Sequence, residues 1–389
     1  MNRKTFLILI ALLVVLGGAG LALFWQDLGA WRKADVKIGS RIFDQLTVND
    51  VAQIRLKDGK GEATLALKDA RWVVKQRGDY SANVQEIGDL LLKLPDLKVV
   101  QTENVGAALL PRLNLIDPAK DPVKDPAKET AKDGKADSAG TLLELSDKSG
   151  KVIGSVLLGR KVIKIESSPL PIKQEIPVGR YVLTLGSPTV LVLSDALKNA
   201  DAKPAQWLAK DFFKAERIKT LTASGDGAQW KITRSEEYGQ WKFADGAGQL
   251  DASAAVGAVN ALSNLAFSDL ALEVKAENFD KPRTLVAETF DNLTYTIKLA
   301  KKPDSGDYYL SLAVSGEPPR ERKPEAGEKA ADKERLDKQF ADSQKKLDER
   351  LKLERGLAAW TYVVAGKGLE PLLKERSRLV AVPRKKNLP

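Results

Sequence analysis

Ser343 and Lys346 have the Ser-x-x-Lys spacing that could pair a serine nucleophile with a lysine base. Such a dyad needs a buried lysine held neutral. These two sit in a stretch dominated by Lys, Arg, Asp and Glu, so the match reads as coincidence. Carboxylates are the remaining inventory for proton transfer. Glu236 with Glu237, and Asp245 with Asp251, could supply the acid and base of a glycosidase. They fall in turns or at a helix start, where Asp and Glu serve backbone N–H groups. Trp72, Trp230, Trp241, Tyr308 and Tyr309 could stack on sugar rings. Strand alternation points Trp72 and Trp241 into a core, while Trp230, one step out of phase, is the expected surface and partner-binding candidate.

The 389 residues contain no cysteine and no histidine. That inventory excludes thiol nucleophiles, disulfides, cysteine or histidine metal sites and imidazole catalysis. Gly59-Lys60-Gly61 and Gly366-Lys367-Gly368 lack the rest of a phosphate loop and read as hairpin turns. No Gly-x-Ser-x-Gly elbow occurs. No catalytic, cofactor-binding or metal-ligating residue is therefore expected, and the chain reads as a non-enzyme.

The elements that must position these residues come twice. The first copy has a strand at Val51 to Leu56, a turn at Asp58-Gly59-Lys60-Gly61, a strand at Ala63 to Leu67, and Arg71-Trp72-Val73-Val74. The second has Arg217 to Leu221, a turn at Gly225-Asp226-Gly227, Gln229 to Thr233, and Gln240-Trp241-Lys242-Phe243. Period-two alternation between glycine turns predicts antiparallel meanders. Helical spacing follows in each copy. Ser81 is the expected cap of a helix burying Val84, Ile87, Leu91 and Leu94, and Asp251 of one burying Val256, Val259, Leu262 and Leu265. Further strands at 142–145, 152–158, 181–185 and 190–193 complete the first copy. Those at 284–290, 294–299, 308–314 and 360–364 complete the second. Short helical stretches at Ser194 to Lys198 and Leu369 to Lys374 close them.

Ahead of both copies, Phe6 to Trp25 is an uncharged apolar run behind Asn2-Arg3-Lys4. As a helix it would rise about 30 Å, the thickness of a bilayer core. A single transmembrane helix is expected, with a cytoplasmic N-terminus and with Trp25 and Trp31 in the interfacial belt. The bulk of the chain is then extracytoplasmic, or periplasmic. The alternative is a cleaved signal peptide, whose apolar region runs about 7–15 residues. The formal charge of +10 would suit nucleic acid in a cytosolic protein. Outside the cytoplasm no nucleic-acid partner is expected. The basic tail, with Lys374, Arg376, Arg378, Arg384, Lys385 and Lys386, reads as a solvated terminus.

Two inserts break the duplication. Residues 117–138 repeat Asp-Pro and Ala-Lys with almost no large apolar residue, which predicts a flexible loop. From about Asp332 the second insert places Leu336, Phe340, Leu347 and Leu351 on one face of a charged helix, at spacings of four, seven and four. That arm either packs on its own domain or docks a partner helix, and its four apolar residues are the partner-binding candidates. The fold class is α+β: a transmembrane helix, then two tandem repeats of a meander with a packed helix. The segments are 1–31 for the anchor, 36–200 for the first repeat, 201–214 for a linker, 215–380 for the second repeat with an arm at about 325–356, and 381–389 for the tail.

The basic start with one apolar span, the Val51-x-x-Ile54-x-Leu56 strand and the strand bearing Trp72 carry a resemblance. So do Tyr80-Ser81-Ala82 before Val84-x-x-Ile87, and Arg180-Tyr181-Val182 before Val190 to Leu193. Together they resemble the bacterial domain-of-unknown-function family 4340, well over Val48 to Leu197 and as a weaker second copy over Ala215 to Lys374. The resemblance implies no catalytic residues. It implies an auxiliary role beside ABC transporters of the gliding-motility type. The lysine-rich loop and the long arm depart from the common pattern. The reading is thus a membrane-anchored accessory or scaffold protein of the cell envelope that needs no cofactor. A module binding envelope polysaccharide or peptidoglycan is the alternative, and a carboxylate-based hydrolase stands third.

Overall fold

The computed structural model describes residues 36–119, 138–166, 174–184, 187, 189–322, 324 and 328–381. The chain divides into two compact units between Ala209 and Lys210.

In the first unit, β1 (Gln53–Lys57), β2 (Glu62–Lys68) and β3 (Arg71–Val74) form the meander, with β4 (Tyr80–Ser81) beside β3. Alternation drives it: Ile54 and Leu56 are buried and pair with buried Leu65 and Ala63. Helix α1 (Val84–Lys93) buries Ile87, Leu90 and Leu91. The chain then crosses to the far edge as β5 (Val99–Glu103). It fills the gap with β6 (Thr141–Ser146), β7 (Val152–Glu166), β8 (Gln174–Leu183) and β9 (Val190–Leu193). The resulting antiparallel sheet has the order β4-β3-β2-β1-β6-β7-β8-β9-β5.

The second unit repeats this path. β10 (Ile218–Gly225), β11 (Ala228–Thr233) and β12 (Lys242–Phe243) lead to α2 (Ala252–Ser263), and β13 (Asp269–Leu270) crosses to the far edge. β14 (Arg283–Thr289), β15 (Leu293–Lys301) and β16 (Asp307–Gly316) follow. Helix α3 (Ala330–Gly356) intervenes before β17 (Tyr362–Ala365) and the short α4 (Gly366–Leu369). The order is β12-β11-β10-β14-β15-β16-β17-β13, that of the first sheet without its β4 edge.

The α+β expectation is corrected. The described chain is mostly β, in two large antiparallel sheets of nine and eight strands with few helices. The strands after each helix do not make a separate layer. β6 pairs with the open edge of β1 (Ile54 opposite Leu145) and β14 with that of β10 (Leu221 opposite Ala287). Edge N–H and C=O groups are thereby satisfied within one sheet. Among the described residues no helix is long and apolar enough to cross a membrane. Phe6 to Trp25, Trp31, most of the 117–138 loop and the tail from Val382 onward lie outside the described residues.

Local details differ too. Asn83, not Ser81, caps α1, its side chain accepting from the Gln85 and Glu86 N–H groups at 3.1 and 3.3 Å. Ser81 belongs to β4, and Val84 is exposed. Asp251 does cap α2, accepting from the Ala254 N–H at 2.9 Å. Ser194 to Lys198 is not helical.

Candidate functional site

Helix α3 is the largest departure from the duplicated path. Its 27 residues rise about 40 Å. Asp332 in the first turn and Arg355 in the last suit the helix dipole. The C-terminal end is seated in the second unit: Leu351 is 2% exposed and Glu354 is fully buried. The Glu354 carboxylate accepts from the Tyr295 hydroxyl at 2.8 Å and from the Lys214 N–H at 2.9 Å, with Arg350 Nε 3.5 Å away. Arg350 in turn reaches Glu216 at 2.5 Å. These partners offset the cost of burying a carboxylate. Burial and the adjacent Glu354 charge push the Tyr295 hydroxyl well above its ordinary pKa, so it remains a donor.

The rest of α3 is held by the segment preceding it. Arg320 meets Asp348 at 2.8 Å, Arg322 meets Asp337 at 2.8 Å and also Glu328, and Arg355 meets Glu317 at 3.1 Å. Of the four candidates on the apolar face, Leu336, Phe340 and Leu347 are half-buried and Leu351 is buried. Leu351 is thus seated in the unit, the other three are partly covered, and the opposite face is charged. Lys338, Lys345 and Lys352 are exposed at seven-residue intervals, which keeps them on one face.

Trp230 is corrected as a surface candidate. It is 2% exposed, and its indole N–H donates to the Lys374 carbonyl at 3.0 Å. The tail supplies an acceptor that lets β11 turn this side chain inward. Trp72 and Trp241, read as core, are half-buried, and the Arg234 guanidinium lies 4.8 Å from the Trp241 ring centre. Ser343 and Lys346 are both exposed on α3, which gives the lysine no desolvated site. Each carboxylate pair is occupied structurally. Glu237 bonds Arg217 at 2.9 Å, Asp245 bonds Arg376 at 2.8 Å, and Asp251 is the α2 cap. Among the described residues no group of three Asp or Glu is placed to hold a metal.

A groove of about 350 Å³ lies between residues 271–276 and 358–361, with Leu272, Val274 and Trp360 as its apolar lining and Lys275, Ser311 and Thr361 as its polar groups. Spacing could not reveal it, because Leu272 and Trp360 come from segments on either side of the α3 insert.

No curated protein and no solved structure matches the chain. The family model described as domain of unknown function (DUF4340), the family that the strand and helix motifs resemble, matches residues 170–285, from β8 of the first unit into β14 of the second.

Proposed function

We propose that the chain is a non-enzymatic accessory protein of the cell envelope that binds a protein partner through α3. The seating of α3 carries this reading: one end is locked by the Glu354 cluster, and the opposite face presents Lys338, Lys345 and Lys352 to solvent. A helix aimed by buried contacts loses little freedom on docking, which favours affinity. The uncharged run Phe6 to Trp25 motivates the envelope location. The family resemblance makes an ABC transporter of the gliding-motility type the partner class.

The test is affinity capture of the full-length protein from mild detergent beside a Lys338→Glu, Lys345→Glu, Lys352→Glu variant. Recovery of a membrane-protein partner by the native chain and its loss from the variant is the expected result. Equal recovery by both would remove α3 as the contact. The groove at Trp360 favours a second reading, a module for envelope polysaccharide or peptidoglycan. Co-sedimentation with insoluble peptidoglycan, abolished by Trp360→Ala, would promote it.

A further inference from the structure

β7 and β8 outrun their sheet. β7 pairs with β6 only as far as Leu158, and β8 pairs with β9 only from Arg180. Beyond those points Val162–Glu166 and Gln174–Gly179 pair with each other alone, as a two-stranded ribbon with no other partner strand among the described residues. Its base is clamped. Buried Arg180 donates from Nε to the Gly159 carbonyl at 2.8 Å and from Nη1 to the Leu197 carbonyl at 3.2 Å. A side chain at Gly159 would meet the Leu113 carbonyl at 2.5 Å, so the close approach requires glycine.

The two outer edges of the ribbon differ. On β8, Pro177 lacks an N–H, which blunts that edge. Arg160 to Ile165 of β7 contains no proline, and Arg160, Ile163, Lys164 and Ile165 are exposed, Ile165 to 60%. We propose that this β7 edge receives an extended strand of a partner protein whose side chains alternate apolar and acidic residues. Strand addition supplies partners to the open backbone groups, Ile163 and Ile165 supply apolar contact, and Arg160 and Lys161 favour acidic residues opposite. A lipid surface would leave the edge N–H and C=O groups unpaired in an apolar medium, which is strongly unfavourable. A second copy pairing symmetrically about Val162 and Ile163 would set Lys161 against Lys164 twice, a like-charge contact.

The experiment uses the full-length chain in mild detergent and a fluorescent peptide of alternating valine and aspartate. Saturable binding is expected, together with slowed backbone hydrogen exchange over Arg160 to Ile165. In an Arg160→Glu, Lys161→Glu variant the affinity should fall about tenfold. An Ile163→Ser, Ile165→Ser variant should also weaken binding while leaving the far-ultraviolet circular dichroism unchanged. The α3 triple variant should bind as the native chain does, so the outcome here stands apart from that of the capture experiment. Absence of saturable binding, or equal affinity in the Glu variant, overturns the proposal. So does protection of the same amides by phosphatidylglycerol vesicles, or by self-association at high protein concentration, in place of the peptide.

Discussion

The row Lys57-Leu142-Leu157-Leu183-Val190 crosses the first sheet on the face opposite Ile54 and Leu56, while in the second sheet Lys231-Thr222-Val286-Thr296-Ala313 crosses the matching face. Beyond Lys57 the first row is apolar and closed over: Leu142, Leu157 and Val190 are buried with Leu115, and Val105, Leu110 and Leu113 pack against them. The second mixes Lys231, Thr222 and Thr296 with Val286 and Ala313, and none of Thr222, Val286, Thr296 and Ala313 is buried. Identical strand order therefore coexists with opposite treatment of one face. Backbone pairing sets the topology, and side-chain polarity decides whether a second layer forms. Having left that face unburied, the second unit docks its long insert elsewhere, through Glu354 on Tyr295.

The largest contrast separates the tryptophans. Trp230→Ala should cost about 4 kcal/mol by urea denaturation, and Trp72→Ala, half-buried in the first unit, distinctly less. Equal costs would mean that Trp230 does not fill the second core. Next comes the paired-face comparison itself: Leu142→Ala should lose about 3 kcal/mol and Thr222→Ala about 0.5 kcal/mol or less. Similar losses would show that the second face is closed in both units.

Tyr295→Phe leaves Glu354 one donor short and should cost about 1–2 kcal/mol, with faster hydrogen exchange in α3. Acid sharpens the comparison at lower amplitude. The Arg55 guanidinium, bonded to Glu62 at 3.0 Å, holds the Glu62 carboxyl below its ordinary 4.5. A depressed folded-state pKa gives stability that is complete above 4.5 and lost as pH falls below it. Glu62→Gln should reduce that acid sensitivity in the first unit. Smallest of all, Arg320→Ala should cost less than about 1 kcal/mol, because its pair with Asp348 is exposed, and high salt should erase the difference.

Much of the strand pattern was legible because alternation is local: Ile54 and Leu56 repeat at period two within their own strand. Asp251 was legible as a cap for the same reason. Asn83 was missed as the α1 cap because Ser81 satisfies the same residue preference, and only the backbone path into β4 separates them. The inward turn of Trp230 was hidden because its acceptor, the Lys374 carbonyl, lies 144 residues away. The ribbon was hidden because Gly159-Arg160-Lys161 interrupts the apolar pattern, so the expected strand stops at 158 while β7 runs on to Glu166.

What the sequence determined by itself was the inventory and the local rhythm. Without cysteine and histidine whole classes of chemistry are closed, and alternation between turns fixes strands whatever surrounds them. Tertiary structure alone decided that β6 and β14 join the edges of β1 and β10, that Leu351 of α3 is buried in its own unit, and that Arg160 to Ile165 has no second partner strand among the described residues. Each of those outcomes depends on hydrogen bonds or contacts between residues far apart in the chain, which no local spacing records.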